Sequence, residues 1–176
     1  ISVKVNVENK LLTVHNFYVP AGGDEPDPII NEKFRHKLDF LDEATKWLNS
    51  IKDKNSLVAL VGDLNIAPHE NDVWSHKQLL KIVSHTPVEV ERLNKFKASY
   101  GFIDSIRNFY PTNKKIYSWW SYRSKNWEES NRGRRLDHIW ASPELNKLIE
   151  SVSIERSIRG WERPSDHVPL IADFKL

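Results

Sequence analysis

Ser56-Leu57-Val58-Ala59-Leu60-Val61-Gly62-Asp63-Leu64-Asn65 is the stretch that decides the fold class. Its first six residues form a short apolar run without alternation, which suits a strand buried on both faces. Gly62-Asp63-Leu64-Asn65 then forms the loop at its carboxyl end, where ligands collect in α/β proteins. Upstream, Asp27-Pro28 reads as an N-cap followed by proline at the first helical position. Phe34, Leu38, Leu41, Thr45 and Leu48 follow at helical spacing and predict an amphipathic helix ending near Ser50. Further upstream, Ile1, Val3, Val5 and Val7 alternate with polar residues, the pattern of a half-buried strand. Glu8-Asn9-Lys10 turns it into a return strand over Leu11–Val19, and Ala21–Pro28 is a Gly/Pro/Asp-rich loop.

Downstream, Thr86-Pro87-Val88-Glu89 is a capping box that opens a helix ending before Gly101, a C′ residue. Strands are predicted at Ile116–Trp120, Leu136–Ser142, Ser151–Ile154 and Val168–Phe174, with a helix between Pro143 and Glu150. Strands and helices alternate throughout, so the class is α/β. With no repeat, low-complexity tract or linker, the 176 residues read as one domain or a piece of one.

The composition excludes several chemistries. Cysteine is absent, which removes disulfides, thiolate metal sites and a Cys nucleophile together. A metal site must therefore use carboxylate, amide or imidazole ligands, and hard oxygen donors favour Mg²⁺ or Mn²⁺. The longest apolar run, Leu57–Val61, is far too short to cross a membrane as a helix. No charged-then-apolar leader opens the chain, so no signal peptide is expected. Methionine is absent even at position 1, and the chain is expected to be part of something longer.

Three polar clusters stand at strand ends: Gly62-Asp63-Leu64-Asn65, Arg135-Leu136-Asp137-His138 and Pro164-Ser165-Asp166-His167. Each sets an Asp beside an Asn or a His, and none has a Ser or Cys spaced as a nucleophile. That set suits metal-assisted attack of water on a phosphate ester. Taken singly, Asp63 could cap a turn and Asp166-His167 could be a cap or a core histidine. Asp137, inside an apolar strand, is a carboxylate that needs a partner if buried there. His138 alternates to the opposite face and reads as structural, and His15, His36, His69, His76 and His85 show no partner pattern.

Between Lys114 and Arg135, seven cations (Lys114, Lys115, Arg123, Lys125, Arg132, Arg134, Arg135) face only Glu128 and Glu129, in a chain of net charge +2. Tyr117, Trp119, Trp120, Tyr122 and Trp127 are interleaved. Cations bind phosphates and aromatic faces stack on bases, as in a nucleic-acid surface. A solvated loop anchored by its aromatics is the alternative.

These motifs resemble the endonuclease/exonuclease/phosphatase superfamily. Gly62-Asp63-Leu64-Asn65 is similar to its GDxN motif, Asn16-Phe17-Tyr18-Val19-Pro20 to N-x-Y-x-P, and Pro164-Ser165-Asp166-His167-Val168-Pro169-Leu170 to its closing PSDHAP-type strand. Tyr117–Lys125, Asn131-Arg132-Gly133 and Arg135-Leu136-Asp137 resemble the exodeoxyribonuclease III branch, which includes abasic-site endonucleases. The resemblance implies a four-layer α/β sandwich of two packed mixed sheets flanked by helices. It also implies cutting of double-stranded DNA at abasic sites or from 3′ ends, with Mg²⁺ or Mn²⁺.

By the same resemblance Asp63 would position or deprotonate the attacking water, and Asn65 would orient it. His167 would hydrogen-bond the scissile phosphate, Asp137 would hold His167, and Tyr18 would touch the phosphate. Asp166, with Asp63 and Asn65, would stand in or near the metal shell. Trp119 and Leu136 match positions lining the pocket for a flipped abasic sugar, with Arg123, Lys125 and Arg132 on the DNA. A monomer in a bacterial-type cytoplasmic setting is implied.

Two departures stand out. Arg134 occupies a position where family members tend to carry an apolar pocket residue. The family's opening Asn-bearing strand and metal-ligating Glu have no counterpart before Ile1, so residues 1–176 are expected to be the C-terminal portion of a single domain, poorly stable and weakly active alone. Two other readings use the same residues: a non-catalytic DNA-binding fragment, and a phosphatase or phosphodiesterase acting on phosphorylated lipid or inositol.

Overall fold

The computed structural model describes residues 1–53 and 55–176. In chain order the elements are β1 (Ser2–Val7), β2 (Lys10–Tyr18), α1 (Glu32–Ser50), β3 (Leu57–Asp63), α2 (His76–Leu79), α3 (Pro87–Tyr100), β4 (Ile103–Asp104) and α4 (Ser105–Phe109). They continue with β5 (Trp119–Trp120), α5 (Trp127–Ser130), β6 (Gly133–Arg134), β7 (Asp137–Ala141), α6 (Pro143–Asn146), β8 (Ile149–Ile154) and β9 (Leu170–Phe174).

The apolar run becomes the centre of a five-stranded mixed sheet of order β1-β2-β3-β7-β4. β2 and β3 run parallel, with β3 antiparallel to β7 on its other side. Leu60 and Trp140 point to one face and meet Leu41, Leu48, Leu93 and Phe96 from α1 and α3. On the other face Val61, Ile139 and Ala59 pack against β8 and β9, which pair antiparallel as a separate ribbon. Helices, mixed sheet and second sheet thus lie as three successive layers, the α/β class the motifs imply, with the second sheet here a two-stranded ribbon. No helix among the described residues is long and apolar enough to cross a membrane.

Register does the positioning. Tyr18 lies beside Asp63, and Asp63 beside Asp137, so three adjacent strands end in one polar row. Asp63 is the last residue of its strand rather than a loop residue. Gly62 makes the close approach possible: its φ is +130°, and a Cβ there would sit 2.0 Å from the Phe17 carbonyl oxygen.

Local signals hold for α3, where Thr86 and Glu89 form the capping box and Gly101 closes the helix at φ +90°. Elsewhere long-range pairing overrides them. The Asp27-Pro28 cap is displaced: Asp27 Oδ1 accepts from the Ile29 N–H at 2.8 Å in a separate turn, and Asn31 caps α1 instead. The predicted helix over Pro143–Glu150 is a single turn, because Ile149–Ile154 extends the predicted strand backward to pair with β9. That partner starts at Leu170, just past Pro169. Of Ile116–Trp120 only Trp119–Trp120 is laddered, against β6. β1 alternates as predicted but is not half-buried: Val3 and Val5 are 49% and 43% exposed on the edge of the sheet.

Candidate active site

The polar row at the ends of β2, β3 and β7 meets the loop before β9, and there three groups converge. Asp63, Asp137 and His167 each offer one donor atom, all within 4.8 Å of one another. Asp137 Oδ2 accepts from His167 Nδ1 at 2.8 Å, the partner its place in a strand called for. The imidazole is thereby fixed with Nε2 turned to Asp63, 3.9 Å from Oδ2. The buried Ser118 hydroxyl accepts from the backbone N–H groups of both Leu136 and Asp137 at 3.0 Å, which sets the start of β7.

Asn65 adopts a left-handed backbone, φ +53°, which lets it fold back on Asp63. Its backbone N–H donates to Asp63 Oδ1 at 2.9 Å and its Nδ2 to Asp63 Oδ2 at 3.0 Å. Nδ2 also donates to the Val19 carbonyl at 2.9 Å, so the amide is oriented with Oδ1 left as acceptor.

The electrostatics are unbalanced. Burial, and then the neighbouring Asp137 carboxylate, push the Asp63 carboxyl up to about 6 against the Asn65 hydrogen bond and the His167 charge. Burial opposes charge on His167, but the Asp137 hydrogen bond and carboxylate outweigh it, with Asp63 and Asp166 adding. The imidazole is therefore raised above its ordinary value.

The group opens into a cleft of about 830 Å³. Of the residues singled out from the sequence, Tyr18, Asp63, Asn65, Trp119, Arg123, Arg132, Leu136 and His167 line it. Asp137 stands behind His167. Asp166 does not join the trio: its Oδ2 accepts from the Trp119 indole N–H at 2.9 Å and so holds that ring. Lys125 is exposed and outside the lining. The donor set of two carboxylates, an amide oxygen and one imidazole, with no thiolate, fits a hard divalent cation that completes its shell with water and phosphate oxygens.

One of the seven cations is a correction. Arg135 is fully buried, bound to Asp72 at 2.9 Å and to Asp104 at 2.8 Å, with Arg107 on the far side of Asp72. His138 joins it, with Nδ1 accepting from Arg135 and Nε2 donating to the Ile66 carbonyl, the structural role expected. His85 and His76 do have partners: His85 Nδ1 donates to the Ala67 carbonyl at 2.6 Å and the two rings bond at 2.8 Å. Sequence reasoning missed Lys37, whose Nζ lies 2.6 Å from Glu89 and donates to the Asn65 backbone carbonyl at 2.9 Å, both side chains of the ion pair fully buried. Its position, one residue before Leu38 on the buried stripe of α1, was the available signal.

A profile of the Endonuclease/Exonuclease/phosphatase family matches residues 2–167. The chain belongs to this family. It is 35% identical to exodeoxyribonuclease III of Haemophilus influenzae over 99% of its length, and spans 66% of that protein. Among solved structures, it is similar to an AP endonuclease from Archaeoglobus fulgidus (TM-score 0.87, 31% identity), covering 99% of this chain and 65% of that one. It is also similar to a 3′ phosphatase from Neisseria bound to a product DNA hairpin (TM-score 0.85, 25% identity), with the same coverages. The chain thus spans about two thirds of the relatives it matches.

Proposed function

We infer that the protein carrying this chain is a DNA repair nuclease that hydrolyses phosphodiesters with a divalent cation, incising abasic sites and degrading duplex DNA from 3′ ends. The observation that carries the reading is the convergence of Asp63, Asp137 and His167, with donor atoms within 4.8 Å of one another, on a cleft edged by Arg123 and Arg132, where burial also raises the Asp63 carboxyl. A base with a pKa near the working pH takes a proton efficiently in the transition state. Relatives named for exodeoxyribonuclease III and AP endonuclease supply the substrate class.

Asp63 accepts a proton from water as its oxygen attacks phosphorus, the P–O bond to the departing sugar oxygen breaks, and that oxygen takes a proton from solvent. Asn65, held by Asp63 and Val19, directs its Oδ1 at that water. His167 donates from Nε2 to a phosphoryl oxygen as negative charge develops, and Asp137 keeps the ring oriented and its charge favourable. Tyr18, 67% exposed at the rim, reaches the phosphate with its hydroxyl. Asp63 and the Asn65 side-chain amide oxygen would hold Mg²⁺ or Mn²⁺, which when bound would polarise the phosphoryl group, while Asp166 holds the Trp119 ring instead. Residues 1–176 act as part of one domain on double-stranded DNA, as a monomer in the cytoplasm.

The test is incision of an abasic-site duplex and shortening of a 3′-recessed duplex by the full-length gene product, with Mg²⁺ against EDTA. Cleavage that stops in EDTA is expected. Salt-sensitive binding with no strand cut would make this a DNA-binding module, and hydrolysis of inositol polyphosphates with intact DNA would move the substrate class.

A further inference from the structure

Arg134 has no task in that chemistry, yet the cleft is built around it. β6 sets Arg134 opposite Trp119 of β5, and Trp119 bridges to His167, so the three lie in one row across neighbouring segments. At about 4.8 Å per step, the Arg134 Cα stands roughly 10 Å from that of His167. Asp166 holds the indole from its edge, and the guanidinium covers one face of it, 5.4 Å from the ring centre. That face is therefore closed to a stacked base or sugar and presents a cation in its place.

The mounting is specific. Arg134 Nη1 donates to Ser84 Oγ at 2.8 Å and to the Val83 carbonyl at 3.1 Å. Ser84 is itself held at φ +90° by its N–H, which donates to both Glu89 carboxylate oxygens. Among the described residues no carboxylate lies within 4.0 Å of Arg134: Glu89, whose charge reaches it, is already bound to Lys37 and to the Ser84 N–H, while adjacent Arg135 has Asp72 and Asp104. Its Nε is buried without an acceptor. A half-buried guanidinium left unpaired is costly unless an anion completes it.

We propose that Arg134, backed by Ser84, is an anion subsite for a second phosphate, the one separated by a single sugar from the phosphate at Asp63 and His167. It makes the protein prefer substrates phosphorylated on both sides of that sugar. This rests on the nuclease reading for its first phosphate. The second can be an internal strand phosphate or a terminal 3′-phosphate; the chemistry is the same.

Binding tests it without turnover. Calorimetry on the full-length protein is expected to show thymidine 3′,5′-bisphosphate binding at least about tenfold more tightly than thymidine 5′-monophosphate, the scale of a hydrogen-bonded charge pair. Arg134→Gln should erase the difference and Arg134→Lys should restore part of it. Equal affinities in the wild type, or a preference untouched by Arg134→Gln, would overturn the subsite whether or not DNA is cut.

Kinetics separate the two sources. On duplexes with an abasic analogue internal, 3′-terminal with a phosphate, or 3′-terminal with a hydroxyl, a subsite lowers KM for either or both of the first two in the wild type. Arg134→Gln should remove that gain, raising KM for the phosphorylated substrates by a larger factor than for the hydroxyl substrate. A loss spread equally over all three would mark Arg134 as structural and refute the proposal. Failure to cut any of them would count against the nuclease reading alone.

Discussion

Two acidic clusters lie close together in this protein and are built on opposite terms. In the Asp72–Asp104 cluster, burial would raise the carboxyls, but Arg135 and Arg107 outweigh it and hold both below the ordinary range. In the Asp63–Asp137 cluster, two carboxylates share one imidazole, and Asp63 is pushed up to about 6. The first is compensated and holds β7 and the 69–72 turn together; the second is left unbalanced and opens into the cleft. The comparison teaches that the same residue type becomes scaffold or chemistry according to its exposure and the cations the fold brings to it: Asp72 and Asp104 are buried among arginines, while Asp63 and Asp137 are partly exposed beside one imidazole.

Removing the unbalanced charge gives the largest effect. Asp63→Asn should lower the Mg²⁺-dependent cleavage rate by about 10³-fold, as expected for loss of a general base. The same change should raise stability at pH 8 by about 1–2 kcal/mol, because a carboxyl raised in the folded state costs stability once pH exceeds its folded pKa. Melting curves of both proteins at pH 8 check this. A fall in Tm would break the contrast.

Removing the balanced charge should act the other way. Asp72→Ala strands Arg135 and Arg107 and should cost about 3–5 kcal/mol in urea denaturation. A loss under 1 kcal/mol would show that the cluster is not what holds the sheet end.

His138 gives the pH signature of the balanced region. Burial first, then Arg135, depress it to about 4, so between that value and 6.5 the unfolded chain binds the proton and the folded chain does not. Stability is full above pH 6.5 and falls by about 3 kcal/mol as pH drops through that window. Asp63, raised from 3.8, works in the opposite sense over an overlapping range. Asp63→Asn should therefore steepen the acid loss, read as urea midpoints at pH 5 and 7. The smallest effect belongs to the exposed cations: Arg132→Ala should leave stability unchanged and reduce the salt dependence of DNA binding by about 0.9 in log–log slope.

How far the sequence carried depended on the distance between the parts. The capping box of α3 and its Gly101 terminus are contained within a few residues, and both were legible. So was the central strand, whose composition alone says it is covered on both faces. The start of α1 was misplaced because Asp27 has a competing turn to cap. The helix after Pro143 was overextended because Ile149, Val152 and Ile154 answer to a partner strand some twenty residues on.

The site was legible where chemistry and spacing coincide: Asp63 with Asn65, Asp137 with His167. Arg135 was misread as a surface cation because its partners at Asp72 and Asp104 lie 63 and 31 residues away. Nothing local distinguishes it from Arg134, which stays at the cleft wall.

The most direct test of the contrast is a carboxylate-resolved NMR titration of the metal-free protein, following Asp63 and Asp72 in one series. The account predicts a midpoint near 6 for Asp63 and no titration of Asp72 before the protein unfolds. Midpoints near 4 for both, or Asp63 the lower of the two, would contradict it.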